Sequence, residues 1–347
     1  MERFDNMINH HPIDRPPVIC PMHAGTTALM KASAAYYPMV QDDPVKMARL
    51  AKAGHDIARF ENVRVPFDES VEVSAFGIRT GYHALQRFPQ VLQHQMLRPE
   101  DVDGLQVPDP KGSGKVPVVL KAVEVLQGGM EGVPIFLGII SPLMLAMQLR
   151  GDQEALFDMQ DDPGLLKGLL EKTTDFIMEY VDEAARMGVD QIVLDDPLSN
   201  SDILTMENFQ RFVEPYDDHV ANEMRKQGVE SILHVCGRVS EKQLERMIEI
   251  DVDALSIDEQ VPIATAKTVG SRRHMVVIGN VSPTKTLLMG SKESVRDATR
   301  RCIDDGVDAV APGCSLEMNT PLENLRAMTL TAKRHVRRPS GSRRRMR

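Results

Sequence analysis

From about Pro163 onward the chain alternates two hydrophobic periods, and this limits its fold more than any other feature. Leu165 to Met187 carries apolar residues at helical spacing and stops at Gly188, after which Asp190-Gln-Ile-Val-Leu-Asp195 is an apolar run of strand length. The cycle then repeats. Asn208 to Lys226 is helical and Ser231 to Cys236 extended; Val239 to Ile250 is helical and Asp253 to Ile257 extended. Ile263 to Val269 is a short helix before the strand His274 to Gly279, Ser294 to Asp305 a helix before the strand Val307 to Ala311, and Leu322 to Arg334 a closing helix. Five strand-helix units in a row predict a parallel sheet.

The N-terminal half is less regular, with candidate strands at 17–21, 57–65, 72–78 and 133–140. The three best of these and the later five make eight, which fits a (β/α)8 barrel with an irregular N-terminal portion. A doubly wound nucleotide fold would want a glycine-rich phosphate turn after a strand, and none of the form G-x-G-x-x-G or G-x-x-x-x-G-K-[ST] follows one here. Asp109 to Lys115 is expected to be a flexible connector. One catalytic domain is therefore predicted over residues 1–336.

Charge defines the rest of the chain. Of the 41 basic residues, six arginines fall in the last eleven positions, so the chain's net charge of −9 conceals a body fifteen charges negative. A body of that sign lacks the basic face that nucleic-acid binding needs. Residues 337–347 are predicted to be a disordered basic tail. No apolar run approaches the roughly 20 residues that span a bilayer, and residues 1–15 lack a leader's apolar stretch, so a cytoplasmic protein with no membrane association is expected. Four cysteines, at 20, 236, 302 and 314, are too few for a disulfide framework and are expected to stay reduced.

Barrel chemistry sits where strands end. The ends here are Asp195-Asp196, His234-Val-Cys236, Asp258-Glu259, Gly279-Asn280 and Pro312-Gly-Cys314. His234 and Cys236, two apart on a strand, share a face, and Cys314 comes from a strand the barrel brings near. One imidazole and two thiolates with an exchangeable fourth position describe a catalytic Zn2+ site. On spacing alone, packing roles for these residues stay open, because free cysteine is commonly buried. Cys20, Cys302 and the methionines of 144–147 are assigned to the core.

The sequences around these ends resemble a known family. Ile-Leu-His234-Val-Cys236-Gly-Arg, Ala-Leu-Ser-Ile-Asp258-Glu-Gln-Val, Ile-Gly-Asn280-Val-Ser-Pro and Ala-Pro-Gly-Cys314 are similar to the methylcobamide:coenzyme M methyltransferases of the uroporphyrinogen decarboxylase superfamily. Pro-Ile-Asp14-Arg-Pro-Pro, Ala-Gly-His55 and Phe60-Glu-Asn-Val-Arg64-Val-Pro-Phe-Asp68 extend the likeness nearly to His335. It implies zinc on His234, Cys236 and Cys314, with Asp258 as the displaceable catalytic fourth ligand where the family has glutamate. Asp258 is one methylene shorter, which makes Glu259 the fallback. It further implies methyl transfer from methyl-Co(III), carried as methylcobamide by a partner corrinoid protein, to coenzyme M through a zinc-bound thiolate, the chemistry of methanogenesis.

Candidates for holding the sulfonate are Asn280, Ser282, Arg64 and Arg238, with His23 facing the pocket and Asp195 or Asp196 orienting a ligating imidazole. The alternatives are another thiol acceptor such as homocysteine, a porphyrinogen decarboxylase-like enzyme, and a non-catalytic zinc-stabilised corrinoid-binding scaffold. The decarboxylase reading lacks support where a basic loop would be needed, since residues 16–30 contain no Arg or Lys.

Overall fold

The computed structural model describes residues 2–81, 90–92 and 98–335; the predicted basic tail lies outside the described residues. The strands are β1 (Val63–Val65), β2 (Thr80–Gly81), β3 (Gln90–Val91), β4 (Ile135–Ile140), β5 (Gln191–Asp196), β6 (Glu230–Val235), β7 (Ala254–Ile257), β8 (Val276–Val281) and β9 (Ala309–Pro312). Seven of them form one sheet, in the order β1-β4-β5-β6-β7-β8-β9, and every pairing in it is parallel. β2 and β3 form a separate antiparallel pair.

The eighth stave is the segment around Val18. Val18 bridges Val310 in parallel on one side, with the Ile19 amide donating to the Val310 carbonyl and the Val310 amide to that of Pro17. On its other side the Val18 carbonyl accepts from the Glu61 amide. Two side chains continue that seam toward β1. Glu61 accepts from the Val18 amide at 2.8 Å, and Asn62 both accepts from the Cys20 amide at 2.8 Å and donates to the Cys20 carbonyl at 3.0 Å. These bonds join the first and last strands, so the barrel closes as predicted.

The strand expected over 72–78 is instead the helix Val71–Ala75. Asp68 Oδ1 accepts from both the amide and the hydroxyl of Ser70, a local turn that starts a helix rather than a strand. The expected strand over 57–65 shortens to β1, because Ile57 and Ala58 still donate to Ala53 of the preceding helix and Arg59 is left-handed at φ 75°. The predicted helix over 208–226 is two, Met206–Phe212 and Glu214–Lys226, parted at Val213 ahead of Pro215. The 109–115 connector is tied in place, its Lys115 amide donating to Ser74 Oγ at 2.9 Å.

Strand parity sorts the core. Leu137, Leu194, Leu233, Leu255, Val277 and Val310 belong to the layer between strands and helices, whereas their neighbours Phe136, Val193, Ile232, Ala254, Val276 and Ala309 fill the barrel. The first helix, Glu2–Ile8, closes the floor by setting Phe4 edge-on against Phe136, 5.1 Å between centroids. Two residues further along four of these strands the same inward parity delivers Gly138, Asp195, His234 and Ser256. A polar layer thus rests on an apolar floor.

Candidate metal centre

Inward parity places His234 and Asp195 side by side, because β5 and β6 pair Asp195 with His234, and β6 and β7 pair His234 with Ser256. His234 is fully buried. Its Nδ1 lies 3.0 Å from Ser256 Oγ, while its Nε2 is buried with no hydrogen-bond partner. Burial brings its pKa down to about 4, so the imidazole is neutral at physiological pH, the form that binds metals.

Cys236 follows the last residue of β6, at the turn where Gly237 takes φ 90°. Cys314 comes from the end of β9 by a different device. A Cβ on Gly313 would stand 2.8 Å from the Glu259 amide, so only glycine lets the two chains approach closely enough. The sulfurs of Cys236 and Cys314 are 3.5 Å apart, and Asp258 Oδ2 lies 3.6 Å from Cys236 Sγ. One ligand atom from each of His234, Cys236 and Cys314 lies within 4.8 Å of the others.

This donor set fits zinc. Ligand atoms of a tetrahedral zinc site stand roughly 3.3–3.8 Å apart, given bonds of about 2.0 Å to oxygen or nitrogen and 2.3 Å to sulfur. Both measured separations, 3.5 and 3.6 Å, match that edge. The adjoining Cys236 thiol and burial push the Cys314 pKa well up, which leaves a proton where a divalent cation would remove it. His234 adds a buried Nε2 that has no hydrogen-bond partner and is available as a ligand atom. The shorter Asp258 approaches Cys236 of the cluster, its Oδ1 meanwhile accepting from the Gln260 amide at 2.8 Å. Glu259 takes the Ser282 hydroxyl at 2.9 Å.

Cys236, Asp258 and Cys314 line a cavity of about 870 Å3 that also includes His23, Glu69, Met144, Asp152, Glu259, Leu316 and Glu317. His23 is buried at its wall as expected, and burial and the charge of Arg64 hold its pKa well below the ordinary histidine value.

Other expected site residues have different partners. Arg64 is buried against Asp195 and donates to the Pro66 carbonyl at 2.6 Å, in space that a Cβ on Gly138 would occupy. Arg238 is exposed and pairs with Asp202. The Asn280 amide group donates to the carbonyls of Asp258 (2.9 Å) and Val261 (2.8 Å), bracing the turn that carries Asp258. Ser282, besides its bond to Glu259, accepts from the Lys285 amide and so begins the following helical turn. These two look after loops, and neither arginine lines the cavity.

The orienting carboxylates are corrected as well. Asp195 holds Arg64, and Asp196 accepts from Ser141 Oγ at 2.9 Å and lies against Asp217, whose pKa is pushed well up by burial and by that neighbour. Ser256 occupies the place beside the imidazole. The sequence reading missed it, although its signal was present: Ser256 precedes Asp258 by the same two residues by which His234 precedes Cys236.

A family model, uroporphyrinogen decarboxylase (URO-D), matches residues 1–335. The chain belongs to the uroporphyrinogen decarboxylase family. It is 32% identical over 338 residues to the methylcobamide:CoM methyltransferase MtbA of Methanosarcina mazei, covering 96% of this chain and 97% of that one. The methylcobamide:CoM methyltransferase MtaA of Methanosarcina barkeri is 28% identical, covering 91% and 92%. A solved methyltransferase from Methanosarcina mazei superposes with a TM-score of 0.90 at 28% identity, over 95% of this chain and 97% of that one. Within the family the chain thus groups with methylcobamide:CoM methyltransferases, and the barrel is theirs.

Proposed function

We propose that this protein is a zinc-dependent methyltransferase that moves a methyl group from methyl-Co(III) of a corrinoid protein to the thiol of coenzyme M. The observation that carries the reading is the cluster of His234, Cys236 and Cys314, whose two cysteines line an open cavity while His234 Nε2 lies buried and unpartnered behind them. His234, Cys236, Cys314 and Asp258 would hold the zinc, which would supply the positive charge that lets a substrate thiol ionise near neutral pH. The acceptor sulfur forms its bond to the methyl carbon as the cobalt–carbon bond breaks, and both electrons of that bond stay on cobalt as Co(I). The thiol proton leaves to solvent or to a cavity carboxylate.

The chain's residues prepare this step. Burial keeps His234 neutral, and Gly313 lets Cys314 close on Cys236. Asp258, beside Cys236, would be the displaceable fourth ligand, and Asn280 fixes the turn that carries it. Cysteine ligands need a reducing compartment, which makes the cytoplasm part of this reading. Among the described residues no helix is long and apolar enough to cross a membrane.

One observation favours a second acceptor. Among the described residues lining the cavity, Glu69, Asp152, Asp258, Glu259 and Glu317 are carboxylates and none is Lys or Arg. That lining favours a thiol bearing an ammonium group, such as homocysteine, over one bearing a sulfonate. It also has the wrong sign for a porphyrinogen with many carboxylates. The test is whether zinc-loaded protein consumes methylcobalamin with coenzyme M, with homocysteine, or with neither. Consumption with homocysteine alone overturns the acceptor, and consumption with neither overturns the enzyme reading in favour of a corrinoid-binding scaffold.

A further inference from the structure

We infer that Ser256 is a positioning residue that fixes the tautomer and the ring orientation of His234, leaving the Nε2 lone pair aimed at the two cysteine sulfurs. The inference rests on the metal-centre reading above. A neutral imidazole binds a metal through the nitrogen that carries no proton, so its other nitrogen must carry one and needs an acceptor. In the dry interior of this barrel that acceptor decides which tautomer exists.

The geometry leaves one residue for the task. His234 and Ser256 are register partners on adjacent parallel strands, both pointing into the barrel and both fully buried. Nδ1 and Oγ are 3.0 Å apart. Of the nearby carboxylates, Asp195, on the other flanking strand, binds Arg64 through Oδ2, and Asp258 Oδ2 lies toward Cys236; the hydrogen-bond partner of Nδ1 is Ser256. Nδ1–H therefore donates to Ser256, and Nε2 is left as the buried lone pair seen without a partner. A neutral partner has a chemical consequence. A carboxylate there would raise the donor strength of the imidazole, whereas a hydroxyl only orients it. The centre thus keeps its negative charge on the sulfurs and on Asp258, which faces the cavity.

The test uses the full chain with Ser256→Ala and Ser256→Thr, the second keeping a hydroxyl on the same carbon. Zinc affinity is measured by chelator competition, and the His234 tautomer by long-range 1H–15N spectra of the metal-free protein. Ser256→Ala should bind zinc about 10- to 100-fold more weakly, with Ser256→Thr within a few-fold of wild type. The wild-type imidazole should be protonated on Nδ1. Wild-type protein protonated on Nε2 overturns the inference, and that measurement needs no variant to fold. Unchanged affinity in a folded Ser256→Ala also overturns it, since the peptide carbonyl of residue 256 would then suffice. Failure of the wild type to bind zinc overturns the metal-centre reading itself, a result distinct from the other two.

Discussion

Replacing Arg64 by Met should destabilise the protein by an amount that grows with pH. Arg64 donates to the Pro66 carbonyl at 2.6 Å and lies against Asp195, whose pKa burial pushes up to about 7 in spite of the arginine. Met fills similar volume but removes the bond to Pro66, a loss of roughly 2 kcal/mol for a charged donor, independent of pH. The Asp195 part depends on pH. In the wild type its folded pKa of about 7 lies above its ordinary 3.8, so its contribution to stability falls as pH rises between those values and is level above about 7. Without Arg64 the folded pKa rises further, and the fall continues at about 1.4 kcal/mol per pH unit. At pH 8.5 the variant should be roughly 4 kcal/mol less stable than the wild type, against roughly 2 kcal/mol at pH 7.

For a chain of 347 residues, unfolding entropy of roughly 2.1 cal/mol/K per residue makes 1 kcal/mol worth about 1.4 °C in Tm. Thermal unfolding should show a deficit of roughly 3 °C at pH 7 widening to roughly 6 °C at pH 8.5. Adding Asp195→Asn to the variant should abolish the widening. Parallel wild-type and variant curves would refute the reasoning. Undiminished stability with a raised KM for the thiol would return Arg64 to the sulfonate-binding role expected from sequence.

Cys236→Ser and Cys314→Ser should each strip or weaken zinc, and Cys20→Ser and Cys302→Ser should leave it unchanged by metal analysis; Cys20 donates to the Met22 carbonyl and Cys302 lies by Asn280. Asp258→Ala should keep its metal through the other three ligands and alter thiol affinity, read by calorimetry, more than metal content. If Glu259→Ala loses metal instead, the assignment of the fourth ligand is wrong. Truncation after His335 should leave folding and turnover intact, because six arginines among small and polar residues build no core. Salt-sensitive affinity for the corrinoid partner, lost with the truncation, would make the tail a docking segment.

The C-terminal strands and the clustering of His234, Cys236 and Cys314 were legible because each depends on local sequence and strand order. Five strands end where glycine, proline and acidic residues interrupt apolar runs, and His234-Val-Cys236 carries its geometry in a spacing of two. The N-terminal half was less legible because its closure toward β1 rests largely on side chains. Glu61 and Asn62 bond the stave around Val18 in place of a regular ladder, and no periodicity records such bonds. Arginines were misread for a related reason. Arg64 resembled a ligand for anions, but its partner Asp195 lies 131 positions away, and only the strand register joins them.

Register also sets where Asp258 stands, at the position where the resemblance leads to an expectation of glutamate. Ser256 and Asp258 stand on β7 and its exit as His234 and Cys236 stand on β6, so the hydroxyl meets the imidazole at one level and the carboxylate meets the sulfur at the next. Asn280, braced on the carbonyls of Asp258 and Val261, ties down the turn that carries the shorter side chain. Because a one-residue shift of β7 would reverse every inward side chain, Ser256 and Asp258 would leave the barrel together. The level of the imidazole's partner and the reach of Asp258 toward Cys236 are therefore set by one structural choice, the pairing of β6 with β7.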